Sequence, residues 1–321
     1  MIHKTDKLHG VMTAIVTPFR NGEIDYRAFD HLVTWQIEQG VSGIVLNSLI
    51  GEGPTLSALE RRSLISRTVH ISRGRVAIIV ATGTCSTETT LRQTAEAREL
   101  GADFALIVQP YYNRPTQKGI IHHFEQIARS VDLPIILDND PQHAGVAITP
   151  ETFRTLLETP NIVGVLGNSN IPAREYSDDV GAETGVRLSR NERLEPCLGQ
   201  RFHGSISALA NIVPDLVVAL DRAIASEDFS GVEHVYPKIK ALLAALNDES
   251  DPAALKYALS CVRGICHEVR LPGTPVSPET AKTIRRALKK TRTCTRCPQR
   301  NALILEAQAA RNTSPSSPPP Q

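Results

Sequence analysis

Eight short, β-rich apolar runs punctuate the chain, at residues 11–16, 43–46, 76–81, 104–108, 134–137, 162–166, 186–189 and 204–208. Longer amphipathic stretches separate them. Strands spaced in this way pair in parallel, because a parallel neighbour requires a crossover long enough to hold a helix. The runs are mostly rich in Val and Ile, as strands covered on both faces should be. Eight repeats predict an α/β fold of the (β/α)8 type, a TIM barrel, and 321 residues are ample for its core.

Between the runs, Phe29, Leu32, Val33, Gln36 and Ile37 recur at helical spacing over residues 26–39, and 57–72 and 87–100 repeat the pattern. Ser57 with Glu60, and Ser86, supply N-caps, while Gly40 and Gly101 sit just past helix ends where a left-handed residue is needed. After the eighth run come four further helical segments, 211–225, 229–246, 252–266 and 277–290. That is more helix than barrel closure requires. The expected division is a barrel over 1–225, a C-terminal helical domain over 226–290, and a tail over 291–321 whose Pro/Ser-rich end cannot bury a core.

The charge balance narrows the function. With 35 Lys and Arg against 34 Asp and Glu, the net charge is +1. No broad field exists to hold nucleic acid or an anionic membrane. No run approaches the roughly 18 apolar residues of a membrane span, and the first residues lack a signal-peptide core, so the expectation is a cytoplasmic protein. Cys85, Cys197, Cys261, Cys266, Cys294 and Cys297 are read as reduced thiols in a chain too long to need disulfide staples. Cys294 and Cys297 have half the spacing of a zinc site, but a second close pair of ligands is missing.

In a barrel of this type the chemistry sits at the carboxyl ends of the strands. The residues there are distinctive: Thr17-Pro18-Phe19 after the first run, Gly51-Glu52-Gly53-Pro54-Thr55 after the second, and Pro110-Tyr111-Tyr112-Asn113-Arg114-Pro115 after the fourth. Asn139, Pro141 and Gly145 follow the fifth, and Gly204-Ser205-Ile206-Ser207 forms the eighth. Together they resemble the dihydrodipicolinate synthase and N-acetylneuraminate lyase family, with the likeness running from about Leu8 to Lys290. The resemblance implies a barrel with a C-terminal helical domain, assembled as a dimer or tetramer. It also implies carbon-carbon bond making or breaking with pyruvate, a small keto acid, through a Schiff base on a lysine of the sixth strand, with no cofactor.

The sequence departs from that pattern where the chemistry would lie. The family's Gly-Ile-Lys-Glu-Ala is here Gly164-Val165-Leu166-Gly167-Asn168, so the catalytic lysine position holds Leu166. An imine carries a protonated nitrogen that serves as an electron sink, and no hydrocarbon can replace it. Gly-Thr-Thr-Gly-Glu is here Ser48-Leu49-Ile50-Gly51-Glu52, exchanging two hydroxyls of the proton relay and pyruvate site for Leu49 and Ile50. Tyr-Asn-Val-Pro-x-Arg-Thr-Gly is here Asp138-Asn139-Asp140-Pro141-Gln142-His143-Ala144-Gly145. Asp138 therefore replaces the relay tyrosine and His143 the arginine that holds a substrate carboxylate. Tyr112 matches the tyrosine that reaches into a neighbouring subunit, and Ile206 a residue whose backbone contacts pyruvate.

Two rescues are conceivable. Lys118 follows a strand on the catalytic face, yet at the start of a helix it is expected to be solvated. Glu52, Asp138, Asp140 and His143 are candidate metal ligands, but they match no recognised signature, and acids at strand ends commonly cap loops. His122 and His123 diverge by about 100° on a helix and cannot readily share an ion. Arg190 and Glu192, charges at the same mouth, are read as a pair. The leading expectation is a family member that has lost imine chemistry and serves in binding, regulation or assembly. The alternative is an active lyase or hydratase using a metal, acid residues or a relocated lysine.

Overall fold

A computed structural model describes residues 4–167, 186–190, 202–247 and 252–292. Eight strands are present: β1 (Gly10–Ala14), β2 (Gly43–Leu46), β3 (Ala77–Ala81), β4 (Phe104–Val108), β5 (Ile135–Asp138), β6 (Ile162–Gly167), β7 (Val186–Arg190) and β8 (Gly204–Ser207). Each pairs in parallel with its sequence neighbours, and β8 returns to β1 to close the barrel. The first apolar run leaves the sheet two residues early. The Val16 N–H donates to Asn211 Oδ1 at 3.1 Å, and Asn211 Nδ2 donates to the Ala14 carbonyl at 2.7 Å, so a side chain takes the place of a strand neighbour.

Alternation along the strands separates two apolar layers. Met12, Val45, Ile79, Leu106, Ile136 and Leu188 pack together inside the barrel. Val11, Ile44, Ile78, Ile107, Leu137 and Val165 face the surrounding helices. Those helices are α1 (Tyr26–Glu38), α2 (Ala58–Ser72), α3 (Thr87–Glu99), α4 (Gln117–Ser130), the single turn α5 (Pro141–Ala144) and α6 (Pro150–Leu157). Ser57 and Glu60 form a reciprocal capping box at α2, and Ser86 caps α3. Gly40 and Gly101 take φ values of +85° and +93°, the left-handed conformation that ends α1 and α3.

The chain continues as α7 (Pro214–Ala225), α8 (Phe229–Leu246), α9 (Ala253–Arg263) and α10 (Pro278–Arg292), with α8 packed between α7 and α10. The start of α7 falls later than its periodicity suggests. Residues Leu209–Asn211 form a 3-10 turn instead, and Pro214 opens the helix at a position where its missing N–H costs nothing. Similarly, α9 stops at Gly264, whose φ of +71° reverses the chain two residues before the expected end. Among the described residues no helix is long and apolar enough to cross a membrane.

Candidate active site

Strand ends bring the anticipated residues to one face of the barrel. Asp138 closes β5, in register with Val108 of β4 and Leu166 of β6. Ile136 faces the interior and Leu137 faces out, so alternation turns Asp138 inward beside Leu166. Leu166 is 1% exposed and packs within the interior cluster, as does Ile206, with Ile50 packed against the same cluster. These three apolar side chains make a floor on which an inward carboxylate stands. Leu49 does not join them. It is 45% exposed, because the left-handed turn at Asn47 (φ +57°) ends the regular alternation that would have placed it.

The turn after β5 is held from below by two buried amides. Gln109 Nε2 donates to the Val146 carbonyl at 2.6 Å, and the Asp140 N–H donates back to Gln109 Oε1 at 3.2 Å. Asn139 exchanges hydrogen bonds with the backbone of Ile148. On this support Asp140 caps the single turn α5, accepting from the His143 N–H through Oδ1 at 3.4 Å. Its Oδ2 accepts from His143 Nδ1 at 2.8 Å. The carboxylate is 4% exposed and the imidazole 62%, so a buried acid orients a ring at the barrel mouth. Gly145 ends the turn at φ +74°, and a Cβ there would lie 2.9 Å from Arg114 Nε. Only a glycine both reverses the chain and leaves room for that guanidinium.

Glu52 looks the other way. Its backbone is left-handed (φ +55°), and its carboxylate is buried under the C-terminal helices. Lys256 of α9 pairs with Oε1, and the Arg270 N–H donates to Oε2 at 2.8 Å. Lys256 also donates to the Glu268 carbonyl at 2.7 Å, and its Nζ lies 4.2 Å from the centre of the Phe19 ring. Arg270 packs against the same ring at 4.3 Å and pairs with Glu60. Glu268 accepts from the N–H groups of Asn21 and Gly22. The loops after β1 and β2 are thus tied to the segment between α9 and α10. Burial pushes the Lys256 ammonium below its ordinary range despite the opposing charge of Glu52.

Sequence reasoning missed Lys256. The one available signal was a lysine in the otherwise apolar run Ala253-Ala254-Leu255-Lys256-Tyr257-Ala258-Leu259, where a buried charge demands a partner. Its stacking on Phe19, a member of the outer layer, places it outside the barrel interior that holds Leu166. Lys118 is exposed on α4. His122 is exposed and His123 buried, so the two point apart. Burial lowers the His123 imidazole to about 4 and keeps it neutral.

Among the described residues no three His, Cys, Asp or Glu side chains are grouped to hold a metal ion. The four candidate ligands are divided by their partners, with Glu52 committed to Lys256 and Arg270, and Asp140 to His143. Tyr112 is 91% exposed at φ +71°. Asn168, Asn191, Glu192, Cys197, Cys294, Cys297 and the tail beyond residue 292 lie outside the described residues, and of Arg190 only the backbone is described.

The eightfold barrel, its helical extension and the strand-end residues have a counterpart among known proteins. Residues 7–291 match the Dihydrodipicolinate synthetase family. The chain belongs to that family. It is 39% identical over 285 residues to the 4-hydroxy-tetrahydrodipicolinate synthase of Rhodospirillum centenum, covering 88% of this chain and 98% of the relative. It is 36% identical over 287 residues to the enzyme of that name from Thermotoga maritima, with the same coverage. The crystal structure of the chloride-inhibited dihydrodipicolinate synthase from Acinetobacter baumannii, complexed with pyruvate, superposes with a TM-score of 0.84 at 35% identity, covering 88% of this chain and 98% of that one. The family match takes in the C-terminal helices as well as the barrel. The contacts of Lys256 with Glu52 and of Asp140 with His143 both fall within it.

Proposed function

We propose that this member of the dihydrodipicolinate synthetase family no longer makes or breaks carbon-carbon bonds through an imine with pyruvate, and that it serves in binding, regulation or assembly. The observation that carries this reading is Leu166. It stands where the family resemblance puts the lysine, and it is 1% exposed in the apolar interior with no amine beside it among the described residues. Neither described lysine that drew attention fits the task. Lys118 is solvated, and Lys256 is committed to Glu52 and the Glu268 carbonyl in the outer layer. An imine-forming lysine needs a dry site beside its substrate.

The ligand in this reading is a small keto acid, the class to which the pyruvate in the Acinetobacter baumannii structure belongs. Ile50, Ile206 and Leu166 supply its floor and His143 its rim. The chain works as a dimer or tetramer in the cytoplasm, with the exposed Tyr112 ring packing on a second subunit. Light scattering tests the assembly, and a monomer contradicts it.

One observation favours a second reading, an active lyase or hydratase that works through acid residues: Asp138 faces inward beside Leu166. Borohydride reduction in the presence of pyruvate, followed by intact mass, tests the first reading. No mass increase is expected beside a trapped relative as control. A stable adduct refutes the proposal and identifies a substitute amine by peptide mapping.

A further inference from the structure

Four departures from the family pattern fall within one turn, at Asp138, Asp140, His143 and Ala144. Two of them meet. A valine position has become Asp140, an arginine position has become His143, and these two new side chains are hydrogen-bonded to each other at 2.8 Å. Neither change alone produces the arrangement. A buried aspartate without the imidazole would carry a charge with one fewer partner, and a histidine without the aspartate would lose the acceptor that holds its Nδ1 proton.

The geometry is that of an oriented acid-base group. Asp140 is immobilised by its cap on α5, by the Pro141 that opens the turn and by the Gln109 bond to its own N–H. Its Oδ2 fixes the proton of the imidazole on Nδ1, which leaves Nε2 as the atom that accepts and returns a proton. The ring is 62% exposed at the carboxyl ends of the strands. Arg114 lies across Gly145, two residues further on, a cation suited to the carboxylate of a keto acid.

We infer that Asp140 and His143 form an acid-base pair that moves protons on water or a hydroxyl at the carbonyl of a small keto acid, with Arg114 beside it for the carboxylate. The inference rests on the keto acid reading above and adds a chemical capacity to it. The simplest step is reversible hydration. A water oxygen bonds to the ketone carbon while the carbonyl π pair moves onto its own oxygen. His143 Nε2 takes a proton from the water and delivers one to the new alkoxide, giving a geminal diol. Loss of either oxygen in the reverse step regenerates the ketone, so no oxidant, metal or electron sink is required. His143 is the group assigned to proton transfer, and Asp140 is a positioning residue.

The test is exchange of the pyruvate ketone oxygen with 18O-labelled water, followed by mass spectrometry on the full-length protein. Acceleration on the order of 100-fold over buffer is expected, the lower end of what a positioned acid or base supplies. His143→Gln should return the rate to that of buffer while circular dichroism shows the barrel still folded. Asp140→Ala should lower the rate at least tenfold, and 15N shifts of the His143 ring should show loss of the Nδ1–H form, a signature that altered stability alone does not produce. No acceleration, or acceleration that survives His143→Gln, overturns the inference. Imine formation also exchanges this oxygen, so borohydride trapping is run in parallel. An adduct with exchange abolished by His143→Gln refutes the non-imine reading alone, and an adduct with exchange retained refutes both.

Discussion

Replacing Lys256 by methionine tests how the C-terminal helices are joined to the barrel. The ammonium is 1% exposed and its partner carboxylate 6%. Methionine keeps much of the packing on Phe19 but removes the ion pair, the bond to the Glu268 carbonyl and the cation over the ring. Glu52 would keep only the Arg270 N–H and its Oε1 would lose its partner in a site closed to water. Breaking a buried pair from one side costs about 3–5 kcal/mol, most of it the stranded charge. That corresponds to a melting temperature roughly 5–15 °C lower. Urea unfolding followed by circular dichroism gives the number, and a cycle with Glu52→Gln isolates the coupling. In the Glu52→Gln background no stranded carboxylate remains, so Lys256→Met should cost about 2–4 kcal/mol less there. A loss below about 1 kcal/mol for Lys256→Met, or strict additivity in the cycle, refutes the claim that this pair secures the loop after β2.

Three further outcomes are expected. Arg270 holds the Glu60 carboxyl at about 2, below its ordinary 4.5, so this pair stabilises the fold above pH 4.5 and its contribution disappears as pH falls toward 2. Solvent screening reduces it to about 1–2 kcal/mol, and acid titration of Arg270→Met should lack this component. His123 is held neutral with its pKa at about 4 against an ordinary 6.5, so the unfolded chain binds more protons between those values. Stability should therefore fall by about 3 kcal/mol as pH drops through that window, and His123→Phe should remove the slope in pH-dependent urea melts. Leu166→Lys should yield no borohydride adduct with pyruvate, because the new ammonium enters beside the inward Asp138 carboxylate, which favours the charged, non-nucleophilic form. Recovered trapping in that variant would reveal a dormant catalytic scaffold.

Much of the fold was legible because its signals are local. Apolar runs of strand length, the Ser57 capping box and the glycines after α1 and α3 each act within a few residues, and all eight strands lie on the runs that announced them. The errors fall at the ends of elements, and a distant side chain sets one of them. Asn211 captures the Val16 N–H from 195 residues away, and no property of the first run announces that bond. The same distinction governs the site. That Asp140, followed by proline, caps a turn follows from neighbouring residues. That Leu49 would leave the floor while Ile50 stayed required the left-handed turn at Asn47.

By itself the sequence determined the parallel barrel, the added helices and the presence of a hydrocarbon side chain at Leu166, since periodicity and residue chemistry are written along the chain. The tertiary structure alone decided which polar groups became partners. Glu52 turned toward Lys256, 204 residues away, because burial under the C-terminal helices makes an unpaired carboxylate costly. Asp140 met His143 because a capped turn, held by Gln109 from another strand end, fixed both in one orientation. Residue type sets what a side chain can do, and the packing of distant segments sets which atoms it reaches.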